Sequence, residues 1–164
     1  MSTANLTLCD AAATEAAGAR LAVELRGGMI VTLSGDLGAG KTTLTRGCLR
    51  ALGWRGTVKS PTYTLVEHYL LSRLYFYHFD FYRFADPSEW ETAGLADCFR
   101  SDAVCMIEWP ERVAGMLPVP DLALTLWYPA APSAFGRQLA LSAQSQGGER
   151  CLSAMTSVGE RPEG

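Results

Sequence analysis

Lysine is almost missing from this sequence: Lys41 and Lys59 are the only two in 164 residues. Fourteen basic residues stand against 17 acidic ones, a formal net charge of −3, and no Lys/Arg cluster is present. Neutralising a phosphate backbone takes several grouped cations, so strong nucleic-acid binding by this chain alone is excluded. Asparagine is scarcer still, with Asn5 the single copy. That excludes N-K-x-D, the motif by which GTPases usually read guanine. No apolar run reaches the roughly 18 residues that a membrane-spanning helix needs. The opening stretch, MSTANLTLCDAAATEAAGAR, has neither the basic start nor the apolar centre of a secretory signal. A cytoplasmic location with no membrane partner is therefore expected.

The five cysteines (Cys9, Cys48, Cys98, Cys105, Cys151) include no C-x-x-C pair, and no histidine stands at metal-ligand spacing from them. This excludes a disulfide framework and a zinc site. They read as small buried hydrophobes instead, most clearly Cys105 inside AVCMI.

What is present suits one globular domain. The length allows a single core, and 48% hydrophobic with 19% charged residues is ordinary for such a protein. We expect one domain over 1–156 and a disordered tail over 157–164. Strands are expected at 5–8 and 29–35, and helices at 13–25 and 41–52, each closed by glycine. The runs 64–71 and 74–82, separated by Ser72-Arg73, read as a hairpin, which makes the sheet partly antiparallel. A helix is expected over 86–99 with Asp86 as its N-cap, a buried strand over 103–109, and two alternating strands over 122–128 and 137–143. The sum is a three-layer α/β domain with a mixed parallel/antiparallel sheet.

The central motif is Gly35-Asp36-Leu37-Gly38-Ala39-Gly40-Lys41-Thr42-Thr43, which fits G-x-x-x-x-G-K-[ST] at every fixed position. Its glycines let successive N–H groups turn inward around a phosphate, and the helix that follows adds its positive end. Lys41 would reach the β- and γ-phosphates, and the Thr42 hydroxyl would ligate Mg²⁺. The strand before and the helix after are the context this motif requires. A P-loop NTPase domain is expected, and with guanine reading excluded ATP is the default.

Such a site needs an acid at the end of a second buried strand. Glu108 closes the run Val104-Cys105-Met106-Ile107, and Asp80 closes Tyr77-His78-Phe79. If both face the nucleotide, one can hold the metal while the other orients water; which does which stays open. Either could instead be solvated or paired with an arginine. His78 shares Asp80's face and could orient it or simply pack. Arg83 could meet the γ-phosphate or pair with Asp80. Pro61 stiffens a loop whose Ser60 and Thr62 hydroxyls could close as a switch. Arg46, Arg50 and Arg55 could serve an acceptor pocket, which keeps a small-molecule kinase as the alternative to an ATPase.

GDLGAGKTT (35–43), SPTYTLVE (60–67), HFDFYR (78–83) and EWPER (108–112) follow one another in an order that resembles the TsaE family, also called YjeE. Thr14-x-x-x-Gly18-x-x-Leu21-Ala22 is similar to that family's first helix, and the likeness runs from about residue 5 to 145. The resemblance implies a bacterial P-loop ATPase needed for threonylcarbamoyl modification of adenosine in tRNA. It implies that Leu37 to Thr42 hold the phosphates, that Thr42 and Glu108 ligate Mg²⁺, and that Ser60-Pro61-Thr62 is a switch. Asp80 would assist hydrolysis, and the turn at Asp10 and Ala11 would lie by the adenine. The family does not transfer the group itself but acts with the TsaD and TsaB proteins, which its ATP turnover resets. Scarce lysine fits that picture: tRNA would be met only through the complex.

Overall fold

The computed structural model describes residues 1–130 and 136–157. Its strands are β1 (Thr3–Leu8), β2 (Ile30–Ser34), β3 (Val66–Leu70), β4 (Tyr75–Asp80), β5 (Ala103–Glu108), β6 (Leu122–Trp127) and β7 (Arg137–Ala143). They form one sheet in the order β1-β7-β6-β2-β5-β4-β3. The inner four, β6, β2, β5 and β4, run parallel to one another. The edges are antiparallel: β7 pairs with β6 and β1, and β3 pairs with β4 as the expected hairpin. Every residue of β5 is buried, the pattern of a strand covered on both faces.

Helices α1 (Ala11–Glu24), α2 (Lys41–Ala51) and α4 (Gln146–Thr156) cover one face. Leu21, Leu44, Leu49, Cys151 and Met155 pack there against Val31, Leu33, Met106, Leu124 and Leu139. Over the other face, Phe79, Phe81, Cys105 and Ile107 are covered by Phe84, Leu95 and Val113. That third layer spans β2, β5 and β4 and reaches Val66 of β3. The outward residues Thr3, Asn5 and Thr7 of β1, and Thr125 and Trp127 of β6, are exposed. The expected three layers therefore hold for half of the sheet, because the strands of the other half carry mostly polar residues on that side.

Three helical regions differ from the sequence expectation. α1 starts at Ala11, because the Asp10 carboxylate accepts the Ala13 N–H at 2.7 Å and caps the helix. The helix expected over 86–99 breaks in two, α3 (Ser88–Thr92) and a 3₁₀ turn (Leu95–Cys98), at Gly94 with φ +65°. Asp86 still serves the start, accepting from the Ser88 N–H at 2.9 Å. α4 was not expected at all. Gly147 and Gly148 are poor helix formers, yet Ser145 accepts the Gly148 N–H at 3.0 Å and donates to Asp121 at 2.7 Å, which starts a helix burying Cys151, Leu152 and Met155. The expected tail lies, from residue 158 on, outside the described residues. Among the described residues no helix is long and apolar enough to cross a membrane.

α1 and α2 cross so closely that a Cβ on Gly18 would overlap the Leu44 carbonyl oxygen. Alanine in a helix interior ordinarily gains about 1 kcal/mol over glycine. Here Gly18→Ala is expected to lose about 1–3 kcal/mol through overpacking, read as a lower urea midpoint. Burial also pushes the thiols of Cys105 and Cys151 up, to about 12 and about 11, and raises wholly buried Cys48 as well. These three stay protonated at pH 8, so a disulfide reagent should modify exposed Cys9 in the native protein and reach them only after denaturation.

Candidate functional site

β2 leaves the buried sheet and gives way to the glycine loop, where Gly35, Gly38 and Gly40 all have positive φ (+142°, +76° and +108°). Gly40 is the N-cap of α2 and offers no side chain, so the first amides of that helix open onto the loop. Beside β2 lie β5 and then β4, parallel and in register. Leu33 pairs with Glu108, and Glu108 with Asp80. Three successive strands thus end together, and two carboxylates stand side by side at their C-terminal edge, opposite the loop.

A cleft of about 310 Å³ lies between them, lined by Leu37, Gly38, Gly40, Lys41, Thr42, Thr43, Ser60, Thr62, Asp80, Glu108 and Trp109. A larger groove of about 500 Å³ sits elsewhere, among Ala22, Leu25, Arg26, Ala51, Leu71 and Leu74. It has no convergent acids and no glycine loop, so the chemistry belongs to the smaller cleft.

The charged side chains of this cleft, Lys41, Asp80 and Glu108, are buried and partnered. Lys41 is 5% exposed; its ammonium donates to the carbonyls of Gly35 and Asp36 and lies 4.6 Å from the Trp109 ring centre. Burial pushes that ammonium below its usual range, while Glu108, Asp80, Glu111 and Asp36 pull it back. The Thr42 hydroxyl donates to Glu108 Oε1 at 3.0 Å. Asp80 Oδ2 accepts from Ser60 at 2.8 Å and Thr62 at 3.1 Å, and its Oδ1 accepts the Tyr82 N–H at 2.9 Å. His78 Nε2 lies 3.3 Å from Glu108 Oε1. A hard oxygen pair, Thr42 with Glu108, is the donor set that Mg²⁺ accepts.

Most of the expected residues meet here: Leu37, Gly38, Gly40, Lys41, Thr42, Thr43, Ser60, Thr62, Asp80 and Glu108 all line the cleft. Gly35 and Asp36 contribute carbonyls, whereas Ala39 and Pro61 are buried behind it. Asp10 and Ala11 do not line it; Asp10 is occupied in capping α1. Arg83 pairs with Tyr63, donating to its hydroxyl at 3.2 Å and stacking 4.4 Å over its ring. His78 approaches Glu108, the neighbouring strand's acid. Arg46 lies 3.9 Å from Glu15, and Arg50 donates to the carbonyls of Trp54 and Gly56; neither lines the cleft.

Two supporting residues escaped the sequence reading. Tyr128 and Arg137 donate to the Gly38 carbonyl at 2.7 and 3.3 Å, and the Arg137 guanidinium stacks 3.8 Å over the Tyr128 ring. They come from the ends of β6 and β7, about a hundred residues from the loop, and no local motif marks them.

Fold and site together define an α/β protein with a mixed seven-stranded sheet, whose glycine loop faces two acids at the carboxyl edge of its parallel strands. Residues 8–138 match the family model for threonylcarbamoyl adenosine biosynthesis protein TsaE, and the chain belongs to that family. It is 48% identical, over 78% of each chain, to the tRNA threonylcarbamoyladenosine biosynthesis protein TsaE of Haemophilus influenzae. The protein of the same name from Bacillus subtilis is 41% identical over 60% of this chain and 61% of its own. The crystal structure of Bacillus subtilis YdiB superposes with a TM-score of 0.78 at 26% identity, covering 94% of this chain and 95% of that one.

The two hydroxyl hydrogen bonds to Asp80 Oδ2 fasten the loop that carries Ser60 and Thr62. Replacing both with alanine is expected to accelerate amide exchange over residues 60–65 by at least tenfold, since bonds to a charged group are worth about 1.5–3 kcal/mol each. Exchange in β5 should not change.

Proposed function

We propose that this protein binds ATP with Mg²⁺ on residues 35–43, hydrolyses it slowly, and so supports threonylcarbamoyl modification of adenosine in tRNA. One observation carries the reading: a G-x-x-x-x-G-K-T loop, Thr42 and two buried carboxylates converge on one cleft. The loop amides and the start of α2 would receive the phosphates, and Lys41 would turn from the loop carbonyls to the β- and γ-oxygens. Thr42 and Glu108 would hold Mg²⁺, which neutralises charge on the β- and γ-phosphates when bound. Asp80, accepting from Ser60 and Thr62, would orient water and link its position to the 60–62 segment, which acts as the switch.

Lys41 is the one cation among the described residues that line the cleft. Arg83, the nearest arginine in sequence to Asp80, is engaged with Tyr63. That supports a low intrinsic rate, raised when a partner completes the site. The partners are the TsaD and TsaB proteins, and tRNA is met through them. A small-molecule kinase built on the same loop is the weaker reading, because Arg46 and Arg50 are committed elsewhere.

Phosphate release measured with and without TsaD and TsaB tests the proposal. Stimulation by the partners is expected; ATP consumption that requires a small acceptor would favour the kinase. Lys41→Ala should abolish nucleotide binding detectable by calorimetry, and unchanged affinity would overturn the loop's role.

A further inference from the structure

His78 is completely buried on β4, and neither ring nitrogen makes a well-aligned hydrogen bond among the described residues. A packing role alone does not account for it, since phenylalanine or leucine would fill the site without stranding two polar atoms. Its Nε2 nevertheless lies 3.3 Å from Glu108 Oε1, the oxygen that also accepts from Thr42. Glu108 is 2% exposed, so water cannot easily replace a lost partner there.

Resting on the reading of Thr42 and Glu108 as the Mg²⁺ ligands, we propose that His78 is the positioning residue for Glu108. When the Thr42 hydroxyl turns to the cation, Glu108 Oε1 loses its present donor. The Nε2–H of His78 is the buried donor left beside it. It takes up that oxygen and leaves Oε2 directed at the metal. An outer partner of this kind fixes the orientation of a ligating carboxylate. Parallel pairing of β4 with β5, which sets His78 beside Met106 and Asp80 beside Glu108, holds the ring at the required height.

The test is Mn²⁺ binding by electron paramagnetic resonance, with the full chain saturated by a non-hydrolysable ATP analogue. His78→Leu is expected to weaken Mn²⁺ affinity about tenfold, with affinity for the analogue in chelator unchanged. His78→Gln puts an amide nitrogen near the place of Nε2 and should restore the affinity; His78→Asn reaches only the place of Nδ1 and should not. Should the leucine variant fail to fold, the order of Gln over Asn decides. Equal Mn²⁺ affinity in wild type and the folded variants overturns the proposal. On the chain alone, ¹⁵N NMR should find the proton on Nε2; a ring protonated at Nδ1 only also overturns it. If wild type binds the analogue but no Mn²⁺, the metal reading itself fails, and the ring signal still reports separately on the contact.

Discussion

Two carboxylates, 3% and 2% exposed, end adjacent strands within the field of one buried ammonium. The geometry around the cleft follows from this grouping. A buried ion without partners costs several kcal/mol, so each member has to be held by several bonds at once. Lys41 takes two carbonyls and a ring face; Asp80 takes two hydroxyls and an amide; Glu108 takes Thr42 and the edge of His78. No one of these contacts is strong alone. Together they make the position of each acid depend on a different segment of chain: Asp80 on the 60–62 stretch, Glu108 on the first turn of α2.

The segment tied to Asp80 is itself held under strain. Leu65 has φ +66°, a conformation that costs a residue with a Cβ roughly 1–2 kcal/mol. Its N–H donates to the Pro61 carbonyl, and its carbonyl accepts the Asp80 N–H, both at 2.9 Å. The backbone at one end of β4 therefore fixes the loop, and the loop's hydroxyls fix the carboxylate at that same residue. A displacement of Ser60 or Thr62 cannot leave Asp80 unaffected. Such mutual fastening is what a segment needs if its position is to be read out at the reacting centre.

Much of this was legible from local signals. The glycine loop has its own spacing, and the buried strand before Glu108 is a plain apolar run that ends in an acid. Asp80 follows the same rule. Side-chain pairing was less legible, because alternation says which face a residue shares and not which neighbour it meets. His78 was read toward Asp80, its own strand's acid, whereas the parallel partner strand supplies Glu108. α4 was hidden because its helix begins on two glycines, and its cap depends on Asp121, which reaches it only through the fold. Asp10 was placed near the nucleotide from family likeness; its carboxylate also caps α1, a role that the N-cap rule applied to Asp10-Ala11-Ala12-Ala13 makes legible.

The antiparallel half of the sheet remains to be explained, since the acids and the loop belong to β2, β4 and β5. Its part is visible at Gly38. A loop of glycines is a poor cradle unless something outside it limits the conformations that glycine allows, because every residue in it loses much entropy on ordering. Tyr128 and Arg137 supply that limit by donating to the Gly38 carbonyl, and Arg137 also donates to the Tyr128 hydroxyl. They can do so because β6 pairs parallel with β2 and β7 returns antiparallel beside it, bringing the end of one and the start of the other to the loop. The α2 side of Gly40 is closed by Thr14 of α1, whose methyl lies where a Cβ on Gly40 would make close contact. The loop is thus braced by both halves of the sheet and by the first helix, and its rigidity is a property of the whole fold.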